Sequence, residues 1–318
     1  MNSTAASAEA DFAPGELRII AGPTGAGKSE VAMRLAERHG AMIISADSRQ
    51  VYRGFDIGTA KPTRAERERV PHMGIDVAEP TERWNAARWA GAAAEWLSAA
   101  RAAGRPALIV GGTGLWLRAL VEPLADEPPM DPARRAELQD RLAALDTPEL
   151  RRWVQALDPA RATPRQGRTQ LLRAAEVALL TGTRLSDALA AGSARPLRAA
   201  RWLVIDPGPV LHERIGARLD AMFAAGWTDE VRGLMRTVPA GAPAWNACGY
   251  REIRDMVEGR MTGAAARHAV LVSTRQYAKR QRTWFRNQLG AGTSQRMVTR
   301  LDPRAPNADE VVNAWFGE

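Results

Sequence analysis

Gly22-Pro23-Thr24-Gly25-Ala26-Gly27-Lys28-Ser29 fits the pattern G-x-x-x-x-G-K-[ST]. It follows the short apolar run Leu17-Arg18-Ile19-Ile20-Ala21 and opens Glu30-Val31-Ala32-Met33-Arg34-Leu35, apolar at helical spacing. Strand, glycine-rich turn and helix in that order distinguish a phosphate-binding loop from a plain glycine turn. Backbone N–H groups of such a turn, with the helix N-terminus behind them, favour an anion. Lys28 adds a mobile cation, and Ser29 a hydroxyl able to reach a magnesium ion. The loop specifies a diphosphate or triphosphate, and the rest of the chain must say which.

Of 318 residues, 45% are apolar and 25% charged, the ordinary balance of a globular protein with room for one large domain or a domain carrying an insertion. The net charge of +8 suits polyanionic partners. A single cysteine, Cys248, rules out a disulfide framework or a cysteine-based zinc site within the chain. No apolar run reaches the roughly 18 residues of a membrane span, and Met1 to Phe12 lacks the basic-then-apolar order of a signal peptide. A loose tail over 1–14, no membrane and a cytoplasmic location are expected.

Apolar runs and helical patterns alternate through the first half. Ile19-Ile20, Met42–Ser45 and Ala107–Val110 read as strands; Lys28–Arg38 and Ala86–Ala102 read as helices, the second capped by Asn85 and closed by Gly104 and Pro106. That alternation predicts a parallel sheet with crossover helices. A short helix follows Gly114 to about Val121, and Pro123, Pro128, Pro129 and Pro132 follow it. The pattern is then purely helical over Ala133–Leu145, Pro148–Leu157, Thr169–Thr181 and Leu185–Ala190. A strand returns at Trp202–Ile205. Helices are expected over Val210–Met235, Gly249–Glu258 and Gly263–Leu289, then a strand at Met297–Thr299 and a last helix capped near Asn307. The fold expected is α/β: a P-loop NTPase-like parallel-sheet core over 15–125 and 200–318, with an all-helical subdomain inserted at 126–199.

The second strand runs into Asp47-Ser48-Arg49-Gln50, at the sheet edge where ligands of parallel sheets bind. Asp47 as a kinase's metal ligand or base, as a general base toward a second substrate, or as a cap on the next turn all remain open. The strand Ala107–Val110 runs into Gly111-Gly112-Thr113-Gly114, where a nucleotide hydrolase usually carries a magnesium-holding acid. Glycines there let backbone approach a ligand, and Thr113 offers a hydroxyl near the phosphate loop. On the last long helix Arg275, Lys279, Arg282 and Arg286 form one stripe, with Tyr277 and Trp284 opposite. No acid lies between Arg267 and Gly290, which favours a polyanion, nucleic acid or diphosphate, over a solvated face. The four histidines lack metal-ligand spacing, Cys248 reads as a packed small residue, and the tryptophans read mostly as core, with Trp89 and Trp96 facing inward.

Together these residues resemble the tRNA dimethylallyltransferase (isopentenyltransferase) family over nearly the whole chain. The family's Gly-Pro-Thr-x-x-Gly-Lys-Ser/Thr stands at Gly22–Ser29. Its Asp-Ser-x-Gln-Val-Tyr and Asp-Ile-Gly-Thr-Ala-Lys-Pro stand at Asp47–Tyr52 and Asp56–Pro62. Gly-Gly-Thr-Gly-Leu-Tyr appears as Gly111–Leu115 with Trp116 for Tyr, Gly-Tyr as Gly249-Tyr250, and Thr-Arg-Gln-x-Ala-Lys-Arg-Gln-x-Thr-Trp as Thr274–Trp284. One stretch departs: where members carry Asn-Asp-x-Gln-Arg-x-x-Arg-Ala-Leu-Glu, this chain has Gln166-Gly167-Arg168-Thr169-Gln170-Leu171-Leu172-Arg173-Ala174-Ala175-Glu176.

The resemblance implies transfer of a dimethylallyl group from dimethylallyl diphosphate to the exocyclic N6 amine of the adenosine beside the anticodon, position 37, in tRNAs reading codons that start with U. It implies Asp47 as the base and Thr113 orienting the diphosphate. Gly22, Pro23, Thr24, Gly25, Ala26, Gly27, Lys28 and Ser29, with Arg275 and Arg280, are then expected at the diphosphate, and Mg2+ at Ser29. It places Asp47, Ser48, Arg49, Gln50, Lys279, Arg282, Trp284 and Arg286 at tRNA. Arg135, Thr169, Gln170 and Arg173 of the insertion are expected on the anticodon stem-loop, and the enzyme is expected to act as a monomer. A small-metabolite kinase needs neither the insertion nor the basic helix. A prenyltransferase of free adenine nucleotides shares the loop but lacks the insertion, and a non-catalytic RNA-binding module leaves Asp47 and the loop unexplained.

Overall fold

The computed structural model describes residues 16–122, 130–192, 198–289 and 296–317. The expected tail over 1–14, the prolines at 123, 128 and 129 and the expected boundary at 125/126 lie outside the described residues. The chain divides into two compact units, Met1–Val121 with Leu197–Glu318, and Glu122–Pro196.

The first unit is built on a six-stranded sheet: β1 (Leu17–Ala21), β2 (Met42–Ser45), β3 (His72–Met73), β4 (Ala107–Gly111), β5 (Ala200–Ile205) and β6 (Arg296–Leu301). The order is β3-β2-β4-β1-β5-β6 and every pairing is parallel. β1 and β2 are buried throughout, as continuous apolar runs in a sheet covered on both faces must be. Helices α1 (Lys28–His39), α2 (Arg64–Arg69), α3 (Ala86–Ala102) and α4 (Gly114–Val121) connect the early strands. The Asn85 side chain accepts from the Arg88 N–H and caps α3 as expected. Ile20, Val31, Leu35, Leu108, Leu203 and Trp315 share one core around the sheet.

The second unit is helical: α5 (Pro132–Ala143), α6 (Thr147–Leu157), α7 (Arg168–Thr181) and α8 (Leu185–Gly192). These pack on their own cluster of Leu142, Leu150, Val154, Leu171, Val177 and Leu185. An Asp146–Glu149 capping box starts α6, satisfying two orphan N–H groups that the helix leaves open.

After β5 come α9 (Leu211–Ala224), α10 (Trp227–Thr237), α11 (Tyr250–Val257), the 26-residue α12 (Gly263–Gln288) and, after β6, α13 (Ala308–Phe316). The stretch Val210–Met235, expected as helical throughout, divides at Gly226, whose φ of 91 lies in the left-handed region open to glycine. α2 and β3 are additions to the expected elements. Trp89 is buried and stacks on Trp116 at 5.4 Å, Trp96 is half-buried, and Trp153 is 48% exposed.

Candidate active site

In a parallel sheet the carboxyl ends share one edge. Registers Ala21↔Gly111, Ala21↔Val204 and Ser45↔Val110 bring the residues after β1, β2, β4 and β5 to that edge together. The phosphate loop leaves β1, Asp47 follows β2, Thr113 follows β4 and Asp206 follows β5. A cavity of about 320 Å³ lies here, at the lower end of the range for small-molecule sites. Thr24, Lys28, Ser29, Asp47 and Arg218 are among its polar wall residues, with Arg49, Lys61, Glu66 and Tyr277 also on the wall; Ile215, Leu219, Met222, Trp227 and Val270 are among the apolar ones.

Gly27 has φ 97 and is the residue from which α1 starts, so the loop turns into the helix at a position an L side chain would strain. The Lys28 ammonium donates to the Pro23 carbonyl at 2.8 Å. Burial, then the nearby Arg218 cation, hold the Lys28 pKa down at about 8 against a smaller opposing pull from Asp47. Ser29 is exposed at the cavity wall.

Two arginines of α9 were not among the expected site residues. Arg214 Nε donates to the Gly25 carbonyl at 3.0 Å. Arg218, one turn on, lines the cavity and makes no hydrogen bond or ion pair among the described residues; burial lowers its pKa and the Asp47 charge raises it. A half-buried guanidinium without a partner, on a cavity wall, suits an anion. The signal was present in the sequence: Arg218 shares a helical face with Ile215, Leu219 and Met222, the inward stripe of an amphipathic helix.

Asp47 lines the cavity, and one of its oxygens, Oδ1, accepts the Arg49 N–H at 2.8 Å. It thus caps the following turn while still facing the cavity. Thr113 Oγ1 accepts the Ser48 N–H at 3.1 Å and lies 3.4 Å from the Ser48 hydroxyl. Its hydroxyl is engaged by the turn after β2 and lies outside the cavity's lining. The Gln50 amide is held inside the fold: its oxygen accepts from the Ser45 hydroxyl at 2.8 Å and its nitrogen donates to the Thr59 and Ala60 carbonyls. That bond pattern anchors the Asp56–Pro62 loop. Lys61 in that loop is buried and donates to the Tyr52 carbonyl, Asp56 and Asp76.

α12 approaches the same edge through Gln281, a residue given no role from the sequence. Its oxygen accepts the Thr24 N–H at 2.8 Å, and its nitrogen donates to the Gly112 carbonyl at 2.9 Å. The glycines after β4 serve this approach. A Cβ on Gly112 would stand 2.3 Å from Gln281 Nε2, and one on Gly114 2.3 Å from the Trp284 ring. Gly112 and Gly114 thus make room for α12, while Gly111 and Gly112 also line the cavity, where the sequence suggested room for a ligand.

The basic stripe is also less open than its sequence suggested. Arg282 pairs with Asp206 and donates to the Gly208 carbonyl, and Arg267 pairs with Asp220; both acids come from outside the helix. Arg275 is half-buried, and its Nε has no partner. Arg280 lies over the Tyr277 ring at 5.7 Å. Burial, then the Asp47 charge, push the Tyr277 phenol up to about 12. Neither Arg275 nor Arg280 lines the cavity. Lys279 and Arg286 are exposed.

In the helical unit Arg135 and Arg173 both bond to the buried Glu176, each at 3.1 Å. The Gln170 side chain accepts the Gly167 N–H at the start of α7, and Thr169 is exposed beside it. Among the described residues no group of three or more His, Cys, Asp or Glu is placed to hold a metal, and no helix is long and apolar enough to cross a membrane.

Comparison with known proteins follows the same lines. A family model described as IPP transferase matches residues 50–288, and one described as isopentenyl transferase matches residues 15–76. The tRNA dimethylallyltransferase of Anaeromyxobacter sp. (strain Fw109-5) is 44% identical over 279 residues, covering 86% of this chain and 92% of that protein. The full-length tRNA isopentenylpyrophosphate transferase of Bacillus halodurans superposes with a TM-score of 0.65 at 31% identity, over 95% of this chain and 96% of that one. A eukaryotic dimethylallyltransferase, crystallised acting on tRNA, shares the fold with a TM-score of 0.77 at 22% identity, over 94% of this chain and 78% of that one. Matches of this length and identity place the chain in the IPP transferase family, that of the tRNA dimethylallyltransferases.

Proposed function

We propose that the protein transfers the dimethylallyl group of dimethylallyl diphosphate to the exocyclic N6 amine of a tRNA adenosine, the one beside the anticodon in tRNAs reading codons that start with U. The observation that carries this is the make-up of one cavity. Lys28 and the unpartnered Arg218 suit a diphosphate, while Ile215, Leu219, Met222 and Trp227 suit a short apolar tail. No carboxylate follows β4 to organise magnesium around a nucleoside triphosphate.

The phosphate loop and these two cations bind the diphosphate and stabilise the negative charge that gathers as it leaves. In the transfer the bond between the allylic carbon and the diphosphate oxygen breaks, and a bond from N6 to that carbon forms. Asp47 accepts the proton that N6 releases. The Asp47 turn, Thr113 and Tyr277 frame the adenosine side, and the base must leave its stack to enter. Ser29 fits Mg2+ held jointly with substrate phosphates, because that ion takes few protein ligands and keeps waters. Bound there, Mg2+ would neutralise charge on the departing diphosphate.

The reading assigns Ser48, Arg49, Gln50, Lys279, Trp284 and Arg286 to the tRNA side of the core. It assigns Thr169, Gln170, Arg135 and Arg173 of the helical unit to the anticodon stem-loop, and the enzyme works as a monomer. In the last two arginines the Glu176 ion pairs set the guanidinium orientation. Incubation with labelled dimethylallyl diphosphate and either unmodified tRNA or AMP tests the proposal. Label in tRNA alone is expected. Label in AMP alone, or magnesium-dependent ATP hydrolysis with no transfer, overturns it.

A further inference from the structure

The apolar part of the substrate cavity is laid out along one helix. Ile215, Leu219 and Met222, on one face of α9, all line it. Ile215 lies at the phosphate loop: a Cβ on Gly25 would stand 3.2 Å from Ile215 Cγ1, and the adjacent Arg214 donates to the Gly25 carbonyl. Met222 lies about 10 Å further along the axis. Gly226 then turns the chain, and Trp227, the first residue of α10, joins the same wall. Met222 is half-buried, and its unbranched thioether adapts its shape. Trp227 has no such freedom: it is 1% exposed and lies on two stretches of bare backbone. A Cβ on Gly58 would stand 2.2 Å from its Nε1, and one on Gly249 2.4 Å from its Cη2. Tyr250, itself fixed by its bond to Glu230, meets the ring edge-on with centroids 5.3 Å apart, and Phe223 lies tilted against it at 5.8 Å. Among the described residues Trp227 Nε1 has no hydrogen-bond partner, so packing alone holds the ring.

We propose that Trp227 sets the length of the donor's apolar tail: a five-carbon tail ends against its ring, and the ring excludes allylic diphosphates of ten carbons or more. The proposal rests on the reading of this cavity as a prenyl diphosphate site. With the diphosphate held at the loop, the tail runs along the face of Ile215, Leu219 and Met222 toward Trp227. Apolar burial by itself favours longer tails, since each added methylene brings further affinity. Selection for a short donor therefore needs a repulsive element. A ring seated on two glycine backbones supplies it, because close-packed surroundings leave it nowhere to move and overpacking is costly. The same contacts give Gly58 and Gly249 a purpose within their motifs: both leave the space that the indole fills.

The test uses the full chain and a series of unreactive n-alkyl diphosphates of increasing length, with inorganic diphosphate as the member without a tail. In the parent chain, affinity by calorimetry is expected to rise about three- to fourfold per methylene up to about five carbons and to fall beyond that length. In Trp227→Leu the fall is expected at longer tails, and in Trp227→Phe at a length between the two. Transfer to unmodified tRNA is measured with dimethylallyl and geranyl diphosphate as a ratio of kcat/KM values, which a general loss of stability leaves unmoved. That ratio is expected to shift toward geranyl by about tenfold or more in Trp227→Leu. Thermal unfolding shows that each variant is folded; where the leucine variant is not, the phenylalanine variant decides. A parent affinity that keeps rising past five carbons overturns the proposal. So does a fall that stays at the same length in every folded variant, because the limit is then set elsewhere. Affinity indifferent to the tail from inorganic diphosphate onward overturns the prenyl reading of the cavity and the proposal with it. A length limit that moves with Trp227 in a chain that transfers nothing to tRNA upholds the proposal while the assigned reaction fails.

Discussion

Gln281 on α12 accepts the Thr24 N–H of the phosphate loop at 2.8 Å, and the same side-chain amide donates to Gly112 after β4. One buried side chain thus joins three parts of the sheet edge: the loop, the β4 terminus and the basic helix. Gln281→Leu keeps most of the volume and removes both bonds. The Thr24 N–H and the Gly112 carbonyl are then left unsatisfied, at about 1–3 kcal/mol each. The expected outcome is a loss of about 2–4 kcal/mol in denaturant unfolding and weaker dimethylallyl diphosphate binding by calorimetry. A variant with parental stability and affinity would show that the loop holds its shape without this bridge.

With Lys28 at the diphosphate, as proposed, binding of that group is expected to depend on pH. Its pKa of about 8 in the free protein lies below that of an unfolded lysine, so the folded chain binds fewer protons than the unfolded chain between about pH 8 and 10.5. Its contribution to stability therefore rises with pH across that window. Its contribution to binding runs the other way, since a diphosphate favours the charged ammonium. Affinity for dimethylallyl diphosphate is expected to be level below about pH 8 and to fall toward tenfold per pH unit above it. Lys28→Met should bind weakly at every pH, with no break. A wild-type profile flat to pH 10 would contradict the assignment.

Local order along the chain made much of this legible. The phosphate loop, Asp47 after β2 and the α12 stripe are contiguous patterns whose place follows from strand–loop–helix alternation. Gln281 was visible only as a letter in a motif, because its partners lie 257 and 169 residues away. Arg282 read as a free cation because Asp206 lies 76 residues before it. Arg214 and Arg218 were legible only through the apolar residues that share their face of α9, which packs toward the loop. α2 has no buried residue and β3 has two residues, so neither has an apolar period to detect.

Tyr250 and Glu230 explain a motif that the sequence showed without a reason. The Tyr250 hydroxyl donates to Glu230 Oε1 at 2.6 Å, and Glu230 Oε2 accepts the Asp56 and Ile57 N–H groups at 3.0 and 2.6 Å. Burial, then the Glu230 charge, push the phenol's pKa upward, so it remains a donor throughout the working range. Tyr250→Phe removes one charge-assisted bond worth about 1.5–3 kcal/mol and loosens the anchor of the Asp56–Pro62 loop. A matching loss of stability is expected, with faster amide hydrogen exchange at Asp56 and Ile57. Unchanged exchange at those two positions would separate Tyr250 from the loop.

The proposed function gives Asp47 the proton transfer, and its geometry permits a clean separation of roles. Its Oδ1 accepts the Arg49 N–H, a bond that an asparagine side-chain oxygen can keep. The residue faces the cavity that also holds Lys28 and Arg218. An adenine amine is a poor nucleophile, and its N–H protons become acidic only as the bond to carbon forms. A carboxylate within reach therefore accepts the proton late, an effect typically worth about 10²–10⁴-fold in rate. Asp47→Asn preserves the turn and removes the proton acceptor. In single-turnover reactions at saturating substrates, the chemical step should slow by about that factor, with tRNA and diphosphate affinities within a few-fold of the parent. If binding collapsed while the chemical step kept its rate, Asp47 would be organising the turn and the cations, and the proton would have to leave by another group.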